Sequence, residues 1–272
     1  MPSSPANIVI RDIETLPEIR AVEQLQRDIW GVSDLDVFPA LALIPMKEVG
    51  AILIGAFANG QLVGFVFGFP GVTNGRPFIH SDMLGVTKSY RSLGLGYLLK
   101  LEQRKRALDM GMDHITWTFD PLQSVNAHFN FARLGVIADR YEVDYYGETS
   151  SHLHQFGTDR LWVTWRLDDE RTQQRLQNLT RKEQPRALVG AYVVRLGADQ
   201  EPSVQPPPAV PTNLLIEIPV GISEIAKDNP NLAWRWRVAT RQCFSHAIAS
   251  GLFVNDFVSG RTVGTYLLLK RC

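Results

Sequence analysis

Arg91-Ser92-Leu93-Gly94-Leu95-Gly96 decides the fold, because of what stands on either side of it. Before it, Phe78-Ile79-His80-Ser81-Asp82-Met83-Leu84-Gly85-Val86 reads as a strand. After it, Leu98, Leu99, Leu101, Glu102, Arg104, Lys105, Ala107 and Leu108 read as a helix. A strand, a turn with two glycines and a helix start together make a site for a phosphate group. Glycine lets the backbone approach the anion, and the first N–H groups of a helix have no partner inside it. The positive end of the helix dipole adds to the attraction.

Spacing narrows the ligand. A P-loop requires Gly-x-x-x-x-Gly-Lys-Ser/Thr, which the chain lacks. A dinucleotide fingerprint requires Gly-x-Gly-x-x-Gly, and Leu99 stands where its third glycine belongs. What remains, Arg-x-x-Gly-x-Gly, resembles the acyl-coenzyme A loop of the GCN5-related N-acetyltransferase (GNAT) superfamily. In that family the loop follows the fourth strand of a mixed sheet, after a strand, one or two helices and a hairpin. Here Ile8–Arg11 is a short strand candidate. Leu16–Trp30 is an amphipathic helix with Ile19, Val22, Leu25, Gln26 and Ile29 at helical spacing, and Pro17 suits its first turn. A second short helix is expected over Ala40–Val49. Apolar runs at 51–57 and 61–69 flank Asn59-Gly60, a hairpin signal.

Downstream, His114–Phe119 reads as a fifth strand, and Asn126 to Gly135 as a helix closed by glycine. The Asn-Ala opening and Leu-Gly close of that helix resemble the superfamily's second signature. Strands are expected at Arg140–Tyr146 and Leu161–Leu167. The resemblance covers about residues 8–167 and implies an α/β fold, the GNAT acyl-coenzyme A N-acyltransferase fold with a splayed central mixed sheet.

A chain of 272 residues is long for one such domain. We expect a GNAT domain over 1–170, a polar connector over 171–185 and a smaller C-terminal α/β subdomain over 186–272. The last contains a Pro-rich loop at 198–211. Strand candidates at Leu188–Leu196 and Leu214–Ile218, a helix near Asn231–Ser250 and strands at Leu252–Ser259 and Val263–Leu269 look like half of the same fold. The balance of 28 basic against 28 acidic residues, with no basic stripe, argues against nucleic acid as a partner. There is no apolar run near membrane-spanning length, and Met1-Pro2-Ser3-Ser4-Pro5 has no signal-peptide pattern. Cys243 and Cys272 make no disulfide framework, so a cytoplasmic location is expected. His152 and His154 have no cysteine or carboxylate cluster beside them, so no metal site is expected.

The resemblance implies an acyl-coenzyme A co-substrate, acetyl or another acyl group. Its pantetheine arm would join the sheet at Leu84, Gly85 and Val86, with the Leu84 N–H polarising the thioester carbonyl. Arg91, Ser92, Leu93, Gly94, Leu95, Gly96 and Tyr97 would hold the pyrophosphate, and Asn126 would bond the arm. Family members often carry a base four or six residues before the position of Val86, here Asp82 and His80. Strand alternation puts both on one face. An ordinary histidine titrates close to neutrality, which ranks His80 first, with Asp82 orienting it or holding the ammonium. The family's usual acid, a tyrosine, is replaced by Phe131; Tyr141, Tyr145 or Tyr146 are substitutes to weigh. Asp120, after the fifth strand, is a candidate for recognising an amine. Trp234, Arg235, Trp236 and Arg237 fit a helix whose arginines lie on its outer face. The expected activity is acyl transfer to a small-molecule amine or an amino acid by direct attack in a ternary complex. The rival is a non-catalytic acyl-coenzyme A sensor or scaffold. Protein lysine acetylation ranks lower, and a homodimer sharing a sheet edge is compatible with the fold.

Overall fold

The computed structural model describes residues 7–151, 154, 156–177, 188–208 and 213–271. The chain divides into two compact units, one of residues 1–117 with 149–155 and one of residues 118–148 with 156–272. The division falls near residue 117, so the expected boundary near 170 is kept as a proposal about domain organisation.

In the first unit the elements follow as β1 (Ile8–Asp12), α1 (Leu16–Trp30), α2 (Ala40–Glu48), β2 (Ile52–Ala58), β3 (Gln61–Thr73), β4 (Arg76–Val86), a 3-10 turn (Lys88–Leu93), α3 (Leu95–Asp109) and β5 (His114–Phe119), whose last two residues count with the second unit. The strands lie in the order β1-β2-β3-β4-β5. Every pair is antiparallel except β4 with β5. This is the mixed sheet that the sequence implied.

Helix α1 starts on a capping box, in which Thr15 accepts from the Glu18 N–H and Glu18 reaches back to Thr15. It ends on Gly31 at φ 64. Its buried face is Ile19, Val22, Leu25, Gln26 and Ile29, the set that the periodicity predicts. These pack with Leu43 of α2 and with Leu53, Phe57, Phe65, Phe67 and Met83 of the sheet. Gln26 then clamps the following loop, donating to Phe38 O at 3.0 Å and accepting from Phe38 N at 2.7 Å. Helix α3 buries Leu95, Leu99, Lys100, Gln103 and Ala107.

The second unit holds α4 (Ser124–Ala127), a π-helical turn (His128–Leu134), β6 (Ile137–Glu142), β7 (Arg160–Arg166), α5 (Glu170–Gln177), β8 (Ala191–Leu196), β9 (Pro202–Val204), β10 (Leu214–Pro219), α6 (Ile222–Asp228), α7 (Pro230–Ala249), β11 (Leu252–Ser259) and β12 (Val263–Lys270). Its strand order is β7-β6-β11-β12-β10-β8-β9, with β8 and β10 parallel. The helix expected from Asn126 to Gly135 is two pieces, because the turn widens to π geometry before Gly135 ends it at φ 80. Strand β6 stops at Glu142, ahead of Asp144 in left-handed backbone at φ 47, so Tyr145 and Tyr146 are not strand residues. Part of the connector is helical, in α5, and positions 178–185 lie outside the described residues. The Pro-rich stretch contributes β9, paired antiparallel to β8, and its positions 209–211 also lie outside.

Candidate active site

β4 carries the site. It pairs with β5 only at Ile79–Ile115 and His80–Thr116, then runs on to Val86 beside β3. The phase of the β3 ladder fixes which backbone groups face away from β3. Thr87 N–H donates to Val63 O at 2.9 Å, which marks Thr87–Val63 as a hydrogen-bonded pair. Alternation in an antiparallel ladder then makes Gly85–Phe65 and Met83–Phe67 hydrogen-bonded pairs and turns the peptide groups of Leu84 and Val86 outward. Val86 O accepts from Arg91 Nε at 3.1 Å. The outward groups are spaced to receive an extended amide chain as an added strand.

Beyond Val86 the 3-10 turn delivers Gly94 at φ 72, where a side chain would be strained, and α3 begins. A Cβ added at Gly94 would meet nothing within 4 Å, and one at Gly96 would touch only Leu84 Cδ2 at 3.9 Å. The turn is therefore open to an incoming anion at its glycines. Tyr97 N–H donates to Gly94 O at 3.0 Å within the first turn of α3. Arg91 and Leu93 are exposed beside it.

A β-bulge interrupts β4 at Asp82. Met83 pairs with Phe67 and Ser81 with Gly68, which leaves Asp82 as the extra residue. The bulge reverses the faces of the strand. Met83 packs in the α1 core cluster, whereas Ser81 meets Lys100 of α3. In a regular strand these two residues would share a face. The period of two is thus broken between Ser81 and Met83, so alternation alone no longer fixes the face of Asp82 relative to His80.

His80 Nδ1 lies 2.9 Å from Thr116 Oγ1, and the ring packs on Phe69 with centroids 5.6 Å apart. Burial and the nearby charge of Lys100 hold the imidazole down to about 4. The ground for ranking His80 first, an ordinary imidazole pKa, is absent. Asp82 shifts the other way: its side chain touches water, yet surrounding protein desolvates it and raises its carboxyl above the usual range.

Sequence reasoning passed over Lys100. It is 2% exposed, and its Nζ donates to Ser81 Oγ at 2.7 Å and to Gln103 Oε1 at 3.1 Å. It also stands 3.9 Å from the ring centre of Trp117. A signal was available: Gly96, Lys100, Gln103 and Ala107 form a helical stripe with a charge in its middle.

The remaining candidates lie in the second unit. Asn126 is exposed on α4. Asp120 is 9% exposed, accepts from Leu122 N–H at 3.0 Å and stands 2.8 Å from Arg237 Nη2. Its carboxylate is thus engaged inside the protein. Arg237 is fully buried, correcting its placement on an outer helix face; Arg235 is the outer one, paired with Glu201 at 2.5 Å. Phe131 is fully buried against Phe119 and Tyr266. Tyr141 donates to Asp159 at 2.6 Å, and burial raises its hydroxyl far above the ordinary range. Tyr145 and Tyr146 are half exposed, with the Tyr146 hydroxyl 3.2 Å from Thr118 Oγ1. His152 lies outside the described residues, and His154 bonds Thr149. Among the described residues no metal-binding group of three His, Cys, Asp or Glu occurs, and no helix is long and apolar enough to cross a membrane.

A mixed sheet with a parallel β4–β5 pair, followed by a glycine turn at a helix start, is the arrangement that the sequence resemblance implies. Residues 19–136 match the acetyltransferase (GNAT) family. No curated protein matches it. Among solved structures it is similar to the ribosomal-protein-S18-alanine N-acetyltransferase from Escherichia coli, at 13% identity over 60% of this chain and 95% of that one, with a TM-score of 0.47. NAA60 of Arabidopsis thaliana in complex with a bisubstrate analogue gives 15% identity over 59% of this chain and 99% of that one, with a TM-score of 0.48. An aminoglycoside 6'-acetyltransferase type Ii gives 18% identity over 60% and 99%, with a TM-score of 0.47.

Proposed function

We propose that this protein transfers an acyl group from acyl-coenzyme A to the amine of a small molecule or an amino acid. The observation that carries the reading is the outward-facing backbone of Leu84 and Val86 running into the Gly94 turn. An extended pantetheine amide and a pyrophosphate fit these two features in sequence. A bound thioester supplies the activated acyl carbon. The Leu84 N–H donates to its carbonyl oxygen, where negative charge grows as the amine attacks. Asp82 is the favoured proton acceptor: its side chain reaches water, and desolvation by the surrounding protein raises its carboxyl above the usual range, in the direction a base needs. A carboxylate there also attracts the acceptor's ammonium. His80 is neutral at working pH and orients the approach through the Thr116 contact. The departing thiolate is a weak enough base to leave without a protein acid, which suits Phe131.

A second reading, a non-catalytic acyl-coenzyme A binder, is favoured by Phe131, which has no proton to give and is fully buried. A thiol-release screen separates the two. Acetyl- and succinyl-coenzyme A are run against amino acids and small amines, with wild type beside Asp82→Asn. Turnover with one pair, lost in the variant, establishes the transferase. Coenzyme A binding without turnover across the panel moves the assignment to the binder.

A further inference from the structure

Lys100 is an expensive residue where it stands. Burying an amine without a carboxylate partner costs more than burying a methionine of similar size. Among the described residues its amine meets a hydroxyl, an amide oxygen and the face of Trp117, and no carboxylate within ion-pair reach. Ser81, the hydroxyl it meets, lies between His80 and Asp82 and immediately before the bulge. A bulge leaves the strand free to shift its extra residue unless something fixes the neighbouring register. Gly68, opposite Ser81, adds no side chain to do so, and an added Cβ there would collide with Gln103 Nε2 at 2.8 Å. The anchor therefore comes from α3 on the far face of the sheet.

We propose that Lys100 is a positioning residue of this site: its amine, bonded to Ser81 from behind the strand, pins the bulge and so sets how Asp82 and the Leu84 N–H are presented. This rests on the acyltransferase reading for its catalytic consequence, though the pinning stands on geometry alone. The pin acts through the strand and touches no reacting atom.

The test uses the full chain with Lys100→Met, Ser81→Ala, Ser81→Thr and the Lys100→Met, Ser81→Ala double variant. Lys100→Met and Ser81→Ala should each lower kcat about 10- to 100-fold, as a small misplacement of reacting groups does. KM for acyl-coenzyme A should stay within about twofold, and the double variant should be no worse than either single one. Ser81→Thr, which keeps the hydroxyl, should restore kcat. Independently of turnover, amide hydrogen exchange at Asp82 and Met83 should quicken about tenfold or more in both single variants, with α1 unchanged. If Lys100→Met fails to fold, Ser81→Ala carries both measurements. Unchanged exchange at Asp82 and Met83 overturns the inference, as do unchanged kcat or losses that multiply in the double variant. A wild type that turns over no donor–acceptor pair overturns the acyltransferase reading alone, and exchange still decides the pin.

Discussion

At the level of single residues the site turns on two side chains whose proton affinities have moved in opposite directions. His80 is held down to about 4 by burial and Lys100, so it is neutral from there upward. Asp82 is raised by desolvation. Asp82→Asn should cut kcat by about 10²- to 10⁴-fold, the span of lost general-base catalysis, while His80→Gln should cost about tenfold. The reverse ranking in steady-state kinetics would return the base to His80. The folded pKa of His80 lies below its unfolded value of about 6.5, so the unfolded chain takes up the proton first. Stability tied to this residue is present above about 6.5 and is lost as pH falls toward 4. Urea titrations at pH 7 and pH 5 should therefore show wild type losing ground against His80→Gln at the lower pH. An equal pH response in the two proteins would show that the imidazole is not desolvated. Both residue types were legible in the sequence. Their ranking was not, because it depends on burial and on a lysine from another element.

Elements explain why some of the site could be read in advance and some could not. The periodicity of α1, the Asn59-Gly60 turn and Gly94 are local features, and each appears where the sequence puts it. The bulge at Asp82 is not local, since it exists only as a mismatch between β4 and β3. No pattern within Phe78–Val86 announces it, and the alternation rule failed there. Helix α3 joins the two kinds of information, with a local glycine start and a lysine whose burial only the sheet reveals. Gly94→Val should weaken coenzyme A binding about tenfold or more in calorimetry, since valine at positive φ distorts the turn; unchanged affinity would remove the turn from the site. Lys100→Met makes a separate, thermodynamic prediction. Burial holds the amine well below 10.5, and the groups facing it are Ser81, Gln103 and Trp117, with the charge of His80 coupled to it. The unfolded chain binds that proton first, so the stability of wild type rises with pH up to about 10.5. Lys100→Met should be the more stable protein near pH 6, with an advantage that shrinks as pH rises toward 10. An advantage independent of pH would mean that the amine remains charged in the fold.

On the scale of the whole chain, composition and charge say nothing of a buried ionic network in the second unit. Asp120 and Arg237 meet across more than a hundred residues of sequence, and Asp159 receives both Arg241 at 2.7 Å and Tyr141 at 2.6 Å. Such pairs are invisible to periodicity, which placed Arg237 on an outer helix face and could not show that Asp120 has a cation beside it within the unit. Arg237 donates Nε to Phe156 O at 3.1 Å, while its contact with Asp120 is an ion pair more than an aligned hydrogen bond. Removing one partner of a buried pair strands the other charge. Arg237→Met should therefore destabilise the protein by about 3–5 kcal/mol. Adding Asp120→Asn, which keeps an oxygen for the Leu122 N–H, removes the stranded charge and should recover much of that loss. Urea unfolding followed through Trp234 and Trp236 on α7 measures both steps. Recovery in the double variant assigns Asp120 to the architecture of this unit. If the losses simply add, the two side chains are not coupled, and the carboxylate of Asp120 must be explained by something outside the fold, with an acceptor amine as the first candidate.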